Sequence, residues 1–296
     1  MKNQAGNENV DGKQKVAVVT GSSSGIGYAT ALRLAKSGYL TFATMRNPEK
    51  GGAGLAKAAE NEKLLIRIEQ LDVTDLDSIN GFMDRIAPQA GRIDVLVNNA
   101  GYFSIGSLED LSMKQIQDQL DTNLLGAIRV TRQVLPVMRK QKGGTIVNIS
   151  SVVGRFGLPG MSAYVATKFA LEGLSESLAH EVEPFGIRVT LIEPGVVKTR
   201  IFDNTVIGQG ARRTDSPYSG LLAGLNSTVD ALREHASTPD QVAETVLQAI
   251  SSPEPKIRYH VGQDATMWLE KKSAMTDEQF QEYMKNSFAS PVLGQR

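Results

Sequence analysis

Tyr164 and Lys168 stand four positions apart in this 296-residue chain, the spacing that sets two side chains on one face of a helix. A phenol ordinarily titrates near ~10, too high to exchange a proton readily at neutral pH. A neighbouring ammonium favours the phenolate and lowers that value, which would make Tyr164 a usable acid or base. Of the seven tyrosines, only Tyr164 has a lysine at that spacing. Taken alone, the pair could equally be an exposed helical pair. A second cluster, Thr20-Gly-Ser-Ser-Ser-Gly-Ile-Gly27, has the composition of a phosphate cradle. Gly21, Gly25 and Gly27 let the backbone turn sharply and approach a pyrophosphate, whose charge then meets the amides of a helix start. The spacing is GxxxGxG and no GK[ST] follows, which disfavours a triphosphate-hydrolysing loop. An ordinary Gly/Ser turn is the alternative.

The elements that must position these groups follow from the apolar pattern. Lys15 to Thr20 reads as a buried strand that runs into the glycine cluster, and Gly25 to Lys36 as a helix. Further strands are expected at Tyr39–Met45, Leu64–Leu71, Ile93–Val97, Thr145–Ile149, Ile187–Ile192 and Ile257–Val261. Helices are expected at Asp75–Ala87, from Ser112 to Arg139, from Met161 to Glu183 and at Thr238–Ser251, with an amphipathic stretch at the C-terminus. Alternating strands and helices imply βαβ units, so the expected fold is α/β: a doubly wound parallel sheet with helices on both faces. Residues 1–13 read as a polar tail and 14–290 as a single domain. Within it, 196–237 is weakly patterned and stands as a candidate substrate lid.

That topology gathers the polar residues. In an open sheet, strand C-termini line the ligand crevice. Ser151 closes the fifth of these strands, Asn99, Ala100 and Gly101 follow the fourth, and Asp72 and Val73 the third. The second ends in Thr44-Met45-Arg46, where a site that prefers NAD usually carries a carboxylate. Neutral Thr44 and cationic Arg46, with the Ser23 and Ser24 hydroxyls nearby, favour a 2′-phosphate and so NADP(H) over NAD(H). Arg46 as a solvated surface residue is the alternative. Phe103, Phe156, Leu158, Met161 and Phe202 lie close in sequence to the catalytic positions and would give an apolar crevice if they face inward, or else pack the core.

Composition excludes several other classes. Lys+Arg 32 and Asp+Glu 32 balance to a net charge of +0, so no long-range field draws the chain to nucleic acid or anionic lipid. There is no cysteine for disulfides or thiol chemistry, and His180, His235 and His260 are scattered, so no metal site is expected. No apolar run reaches membrane-spanning length, and the polar start lacks the apolar core of a signal peptide. A cytoplasmic protein is the expectation.

Taken together, the Thr20–Gly27 loop, Asp72, Asn98-Asn99-Ala100-Gly101, Asn123, Ser151, Tyr164 with Lys168, and Pro194-Gly195 resemble the short-chain dehydrogenase/reductase family in order and spacing, over residues 16 to 199. The resemblance implies a single-domain Rossmann-like fold that binds NAD(H) or NADP(H) and interconverts alcohols and carbonyls of small molecules. It implies Tyr164 as proton donor and acceptor, and Lys168 on the nicotinamide ribose, lowering the Tyr164 pKa. Ser151 would hold the substrate oxygen, and Asn123 would distort its helix and anchor a relay water. Ser24 and Ile26 would contact the cofactor, Asp72 and Val73 flank the adenine, and Val197 and Thr199 hold the carboxamide. Ala43 to Pro48 and the 196–237 segment resemble the 17β-hydroxysteroid and retinol dehydrogenase-like branch. A homo-oligomer paired through the helices that start near Ser112 and Met161 is implied as well. A catalytically silent dinucleotide-binding regulator would not need Asn123, Ser151, Tyr164 and Lys168 together. A dehydratase or epimerase on the same fold stays open.

Overall fold

Valine and isoleucine dominate the short apolar runs, and their branched Cβ suits a pleated surface enclosed on both faces. In the computed structural model, which describes residues 14–199, 205–213, 215–233 and 236–287, these runs form the strands. The first half of the chain gives β1 (Val16–Val19), α1 (Gly25–Lys36), β2 (Leu40–Met45), α2 (Pro48–Gly51), α3 (Ala53–Glu62), β3 (Ile66–Gln70), α4 (Leu76–Ala90) and β4 (Val95–Asn98). Then come β5 (Ser104–Ile105), α5 (Met113–Leu120), α6 (Gly126–Gln141), β6 (Gly144–Ile149) and α7 (Ser162–Val182). The remainder comprises β7 (Ile187–Pro194), β8 (Val206–Ile207), α8 (Ser219–Arg233), α9 (Pro239–Ser251), β9 (Arg258–Val261), α10 (Gln263–Ala274) and α11 (Asp277–Ser287).

The main sheet has the order β3-β2-β1-β4-β6-β7-β9, and all its pairings are parallel. The strand order reverses at β1/β4, which opens a crevice there at the strand C-termini. Side-chain alternation divides the core between the two faces. Ala17, Val19, Ala43, Val95, Val97 and Val147 pack one face against Leu34 of α1 and Val242 and Val246 of α9. Val16, Val18, Phe42, Leu96 and Ile146 pack the other against Phe82 of α4, Val134 of α6 and Leu178 of α7.

The long helix expected from Ser112 to Arg139 forms as two. A capping box at Ser112 and Gln115 starts α5, and a π-helical turn over Asp121–Leu125 joins it to α6. Two departures from expectation lie in the connections. Pro48 to Glu62 forms α2 and α3, a short helical pair. The 196–237 segment contains α8, and its β8 pairs in parallel with β5. Gly220 and Gly224 dilute the apolar period of α8, which is why the pattern reads weakly. Phe202, His235, residues 1–13 and the last residues of the expected domain, 288–290, lie outside the described residues. No helix among the described residues is long and apolar enough to cross a membrane.

Candidate active site

The C-terminal ends of β1, β2, β4, β6 and β7 open into one cavity of about 1430 Å³. Its phosphate-loop end is built by backbone and amide bonds. Thr20 Oγ1 accepts from the Asn99 and Ala100 amides, both at 3.0 Å. Asn99 Nδ2 donates to the Thr20 and Gly21 carbonyls at 2.9 and 3.1 Å. The β1 and β4 turns are thereby locked together. Gly21 at φ +68° adopts a left-handed turn that a side chain would resist. At Gly27 a Cβ would lie 2.4 Å from both Asn99 Nδ2 and the Gly21 carbonyl. Ser24 caps α1 without a side-chain hydrogen bond, and no acidic residue occupies the first turn. The helix amides and positive dipole end therefore meet a cavity wall of Gly21, Ser23, Ser24, Gly25 and Ile26. This cradle fits a pyrophosphate. Asp72 and Val73 line the cavity beyond it, with Asp72 Oδ1 held by the Thr74 amide and hydroxyl.

One expectation about β2 needs correction. Thr44 does not face the cavity: it is fully buried, and its hydroxyl donates to the Val19 carbonyl at 3.1 Å. Met45 and Arg46 line the cavity instead. Strand alternation turns Thr44 into the sheet, so the position where a carboxylate would select the ribose is Met45.

At the other end, Ser151 and Tyr164 meet. The Ser151 hydroxyl lies near enough to the Tyr164 phenol to lower its pKa; Ser151 Oγ donates to the Pro194 carbonyl at 3.3 Å and accepts from the Val153 amide at 3.4 Å. The Phe103 ring lies 5.8 Å from that of Tyr164. Lys168 is buried, donates to the Ile149 carbonyl at 2.8 Å, and sits 5.6 Å from the Tyr164 ring centre. The balance of charge differs from the sequence expectation. Burial pushes the Tyr164 pKa up to about 12, against the lowering effect of the Ser151 hydroxyl. Burial likewise pushes Lys168 down to about 8, opposed by Glu172. Desolvation thus dominates at the phenol, which keeps its proton at physiological pH.

Asn123 lies behind the cavity wall. It sits in the π turn, buried, and its side chain clamps the Tyr102 peptide: Oδ1 accepts from the Tyr102 amide at 3.1 Å and Nδ2 donates to its carbonyl at 2.8 Å. Of the expected site residues, Gly27 and Asn123 support the cavity from outside, while Asn99, Ala100, Gly101, Pro194, Gly195, Val197, Thr199 and the others named above line it. Phe103, Phe156, Leu158 and Met161 line it too, joined by Ile105, Val152, Leu222, Leu225 and Trp268.

Sequence spacing missed several contributors. Asp264 of α10 accepts from the Val196 amide at 2.6 Å and fixes the turn after β7. Gly195 and Gly262 leave room for that carboxylate, which a Cβ at either would meet within 2.4 Å. The signal available in the chain was Gly262 followed by an acid in the first turn of a helix, which is too common to single out.

The match to known proteins agrees with this geometry. Residues 15–209 match the family model for short chain dehydrogenases. The chain belongs to the short-chain dehydrogenase family. It is 41% identical over 260 residues to the uncharacterized oxidoreductase YusZ of Bacillus subtilis, covering 86% of this chain and 92% of that one. Human 17-beta-hydroxysteroid dehydrogenase type 1 is 37% identical over 253 residues, covering 82% and 76%. Among solved structures, a short-chain dehydrogenase from Streptomyces avermitilis superposes with a TM-score of 0.79 at 32% identity, covering 93% and 98%. An alcohol dehydrogenase from Thermococcus sibiricus, complexed with 5-hydroxy-NADP, superposes at 0.69 with 25% identity, covering 84% and 97%. As a member of this family, the chain is an oxidoreductase acting on CH–OH groups, with a Rossmann-like fold.

Proposed function

We propose that this dehydrogenase interconverts an apolar alcohol and its ketone or aldehyde, prefers NADP(H), and uses Tyr164 as proton donor and acceptor. The observation that carries this reading is the meeting of Tyr164 and Ser151 at the junction between the phosphate-loop half of the cavity and its apolar half. When bound, the nicotinamide supplies or removes the hydride. In reduction, the Ser151 and Tyr164 hydroxyls hold the carbonyl oxygen, and the Tyr164 proton moves to that oxygen as the carbon is reduced. The resulting phenolate is stabilised by the nearby Lys168 ammonium, which also serves the ribose hydroxyls. Asn123 acts through its helix: its amide is committed to Tyr102, so a relay water would rest on the backbone of the π turn. Oxidation runs the same proton path backwards.

Apolar lining from Phe103, Phe156, Met161, Leu225 and Trp268 supports the substrate polarity, and the human relative is named for a hydroxysteroid. The 196–237 segment, tied to the body through β5 and β8, would cover that half as a lid. Cofactor preference rests on Arg46, exposed at the cavity mouth, and on Met45, which puts no carboxylate against a 2′-phosphate. The NADP analogue named in the Thermococcus neighbour agrees. A homo-oligomer, paired through α5 and α7, completes the reading.

A panel of ketones and aldehydes, followed by the absorbance of NADPH and of NADH, tests the reading. A charge-assisted contact is worth about 1.5–3 kcal/mol, roughly one to two decades in affinity. Higher kcat/KM with NADPH is therefore expected, and Arg46→Ala should narrow the gap by weakening NADPH. A wild-type preference for NADH would contradict the cofactor assignment.

A further inference from the structure

Beneath the cavity, α7 carries a third titratable group in line with Tyr164 and Lys168. Glu172 follows Lys168 by one helical turn and is 5% exposed. Its Oε2 accepts from Arg258 Nε of β9 at 2.9 Å. Its other oxygen, Oε1, is buried beside the Ser150 hydroxyl, and neither atom reaches a partner at normal hydrogen-bond geometry. Gly154 makes room for both: a Cβ there would lie 3.0 Å from Ser150 Oγ and 3.3 Å from Glu172 Oε1. A buried carboxylate with an orphan oxygen is destabilising unless a compensating charge faces it.

The charges around it identify that compensation. Lys168 and Glu176 flank Glu172 at one-turn spacing along α7, and Glu193 from β7 and Arg258 from β9 face it. Arg258 Nε is shared with Glu193 at 3.2 Å, and its Nη2 donates to Glu176 at 2.6 Å. Arg155, in the turn after β6, donates to Glu193 at 3.2 Å. Three carboxylates thus face two guanidinium groups. Lys168, buried one helical turn before Glu172 on α7, is a further cation beside the cluster.

We propose that Glu172 is a positioning residue for the Tyr164–Lys168 pair: its buried carboxylate, one turn along α7, keeps the Lys168 ammonium charged and set between Ile149 and Tyr164. With Oε2 committed to Arg258, the effect on Lys168 acts through space. Burial alone would drive Lys168 towards the neutral amine, and Glu172 is the group that opposes it. Glu172 is itself pushed up by burial, then pulled down by Ser150 and by Arg258 against a rise from Glu193. The neighbouring side chains thus decide how far it stays charged. The inference rests on the assignment of Lys168 to the cofactor ribose.

NADPH binding, followed by the fluorescence of NADPH itself across the pH range, tests both. In the wild type the dissociation constant should rise as Lys168 loses its proton in the region of pH 8. Glu172→Gln should move that breakpoint down by roughly one unit, the low end of what a neighbouring charge does. Glu193→Gln, which also removes a carboxylate from Arg258, should leave it in place. If Glu172→Gln does not fold, Glu172→Asp retracts the charge by one methylene and should shift the breakpoint down by less. A breakpoint unmoved by the folded Glu172 variant, or moved as far by Glu193→Gln, overturns the positioning role. A wild-type curve indistinguishable from that of Lys168→Ala overturns the Lys168 assignment itself.

Discussion

Lys168 meets two opposed demands: its proposed role on the cofactor ribose needs a charge, and its surroundings penalise one. Burial lowers its pKa from 10.5 to about 8, a differential of roughly 3 kcal/mol. A lysine whose folded pKa lies below its unfolded one destabilises the fold fully below pH 8. The unfolded chain then binds the extra proton between the two values, so stability rises with pH across that window. Lys168→Met fills the same space without the charge but loses the bond to Ile149, worth about 1 kcal/mol. The variant should be more stable than the wild type by roughly 2 kcal/mol at neutral pH, with the difference shrinking as pH climbs from about 8 towards 10.5. Urea unfolding at neutral and alkaline pH checks this, and a pH-independent difference would contradict it. The Tyr164 and Lys168 positions were legible in the sequence because one helix fixes their separation. Their electrostatics were not, because burial dominates both shifts and is set by elements far apart in the chain. The Thr44 expectation failed for a similar reason: which residue of β2 faces the ligand depends on its register against β1.

At the scale of elements, the parallel sheet and its flanking helices were legible because strand and helix periods differ and each segment is long enough to show one. The π turn needs the fold around it: Asn123 is held there by the Tyr102 peptide, a contact across 21 residues. In the same way α8 is read poorly from its own residues, since Leu222 and Leu225 are buried only against the rest of the cavity wall. The phosphate loop gives the firmest element-level expectation. Gly27→Ala places a methyl against the Gly21 carbonyl and Asn99 Nδ2, neither of which can withdraw without breaking the β1–β4 lock. Overpacking of this kind costs about 1–3 kcal/mol. If that cost falls on the cofactor-bound state, NADPH affinity should fall by about fivefold to about a hundredfold, since each ~1.4 kcal/mol is a decade, while far-ultraviolet circular dichroism keeps the native helix signal. Unchanged affinity would show that the loop relaxes freely.

For the whole molecule, the exposed apolar residues point to a second copy. Met113 starts α5, Leu125 ends the π turn and Phe169 lies on α7, and they are 66%, 42% and 45% exposed. Apolar groups exposed on helices that pack together, as α5 and α7 do, are of the kind an interface between copies would cover. The chain is expected to be a homodimer or larger in solution. Phe169→Glu combined with Leu125→Glu should shift it to the monomer in light scattering. A wild type that scatters as a monomer would contradict this surface assignment.

The central claim is that Tyr164 carries the proton, and Tyr164→Phe removes the hydroxyl while keeping the ring that packs on Phe103. One measurement tests it most directly: kcat/KM of Tyr164→Phe on a carbonyl that the wild type reduces, alongside its NADPH dissociation constant. Loss of a positioned acid/base group should lower kcat/KM at least ~10²-fold, with NADPH binding unchanged. A variant within a few-fold of wild-type activity would contradict the account.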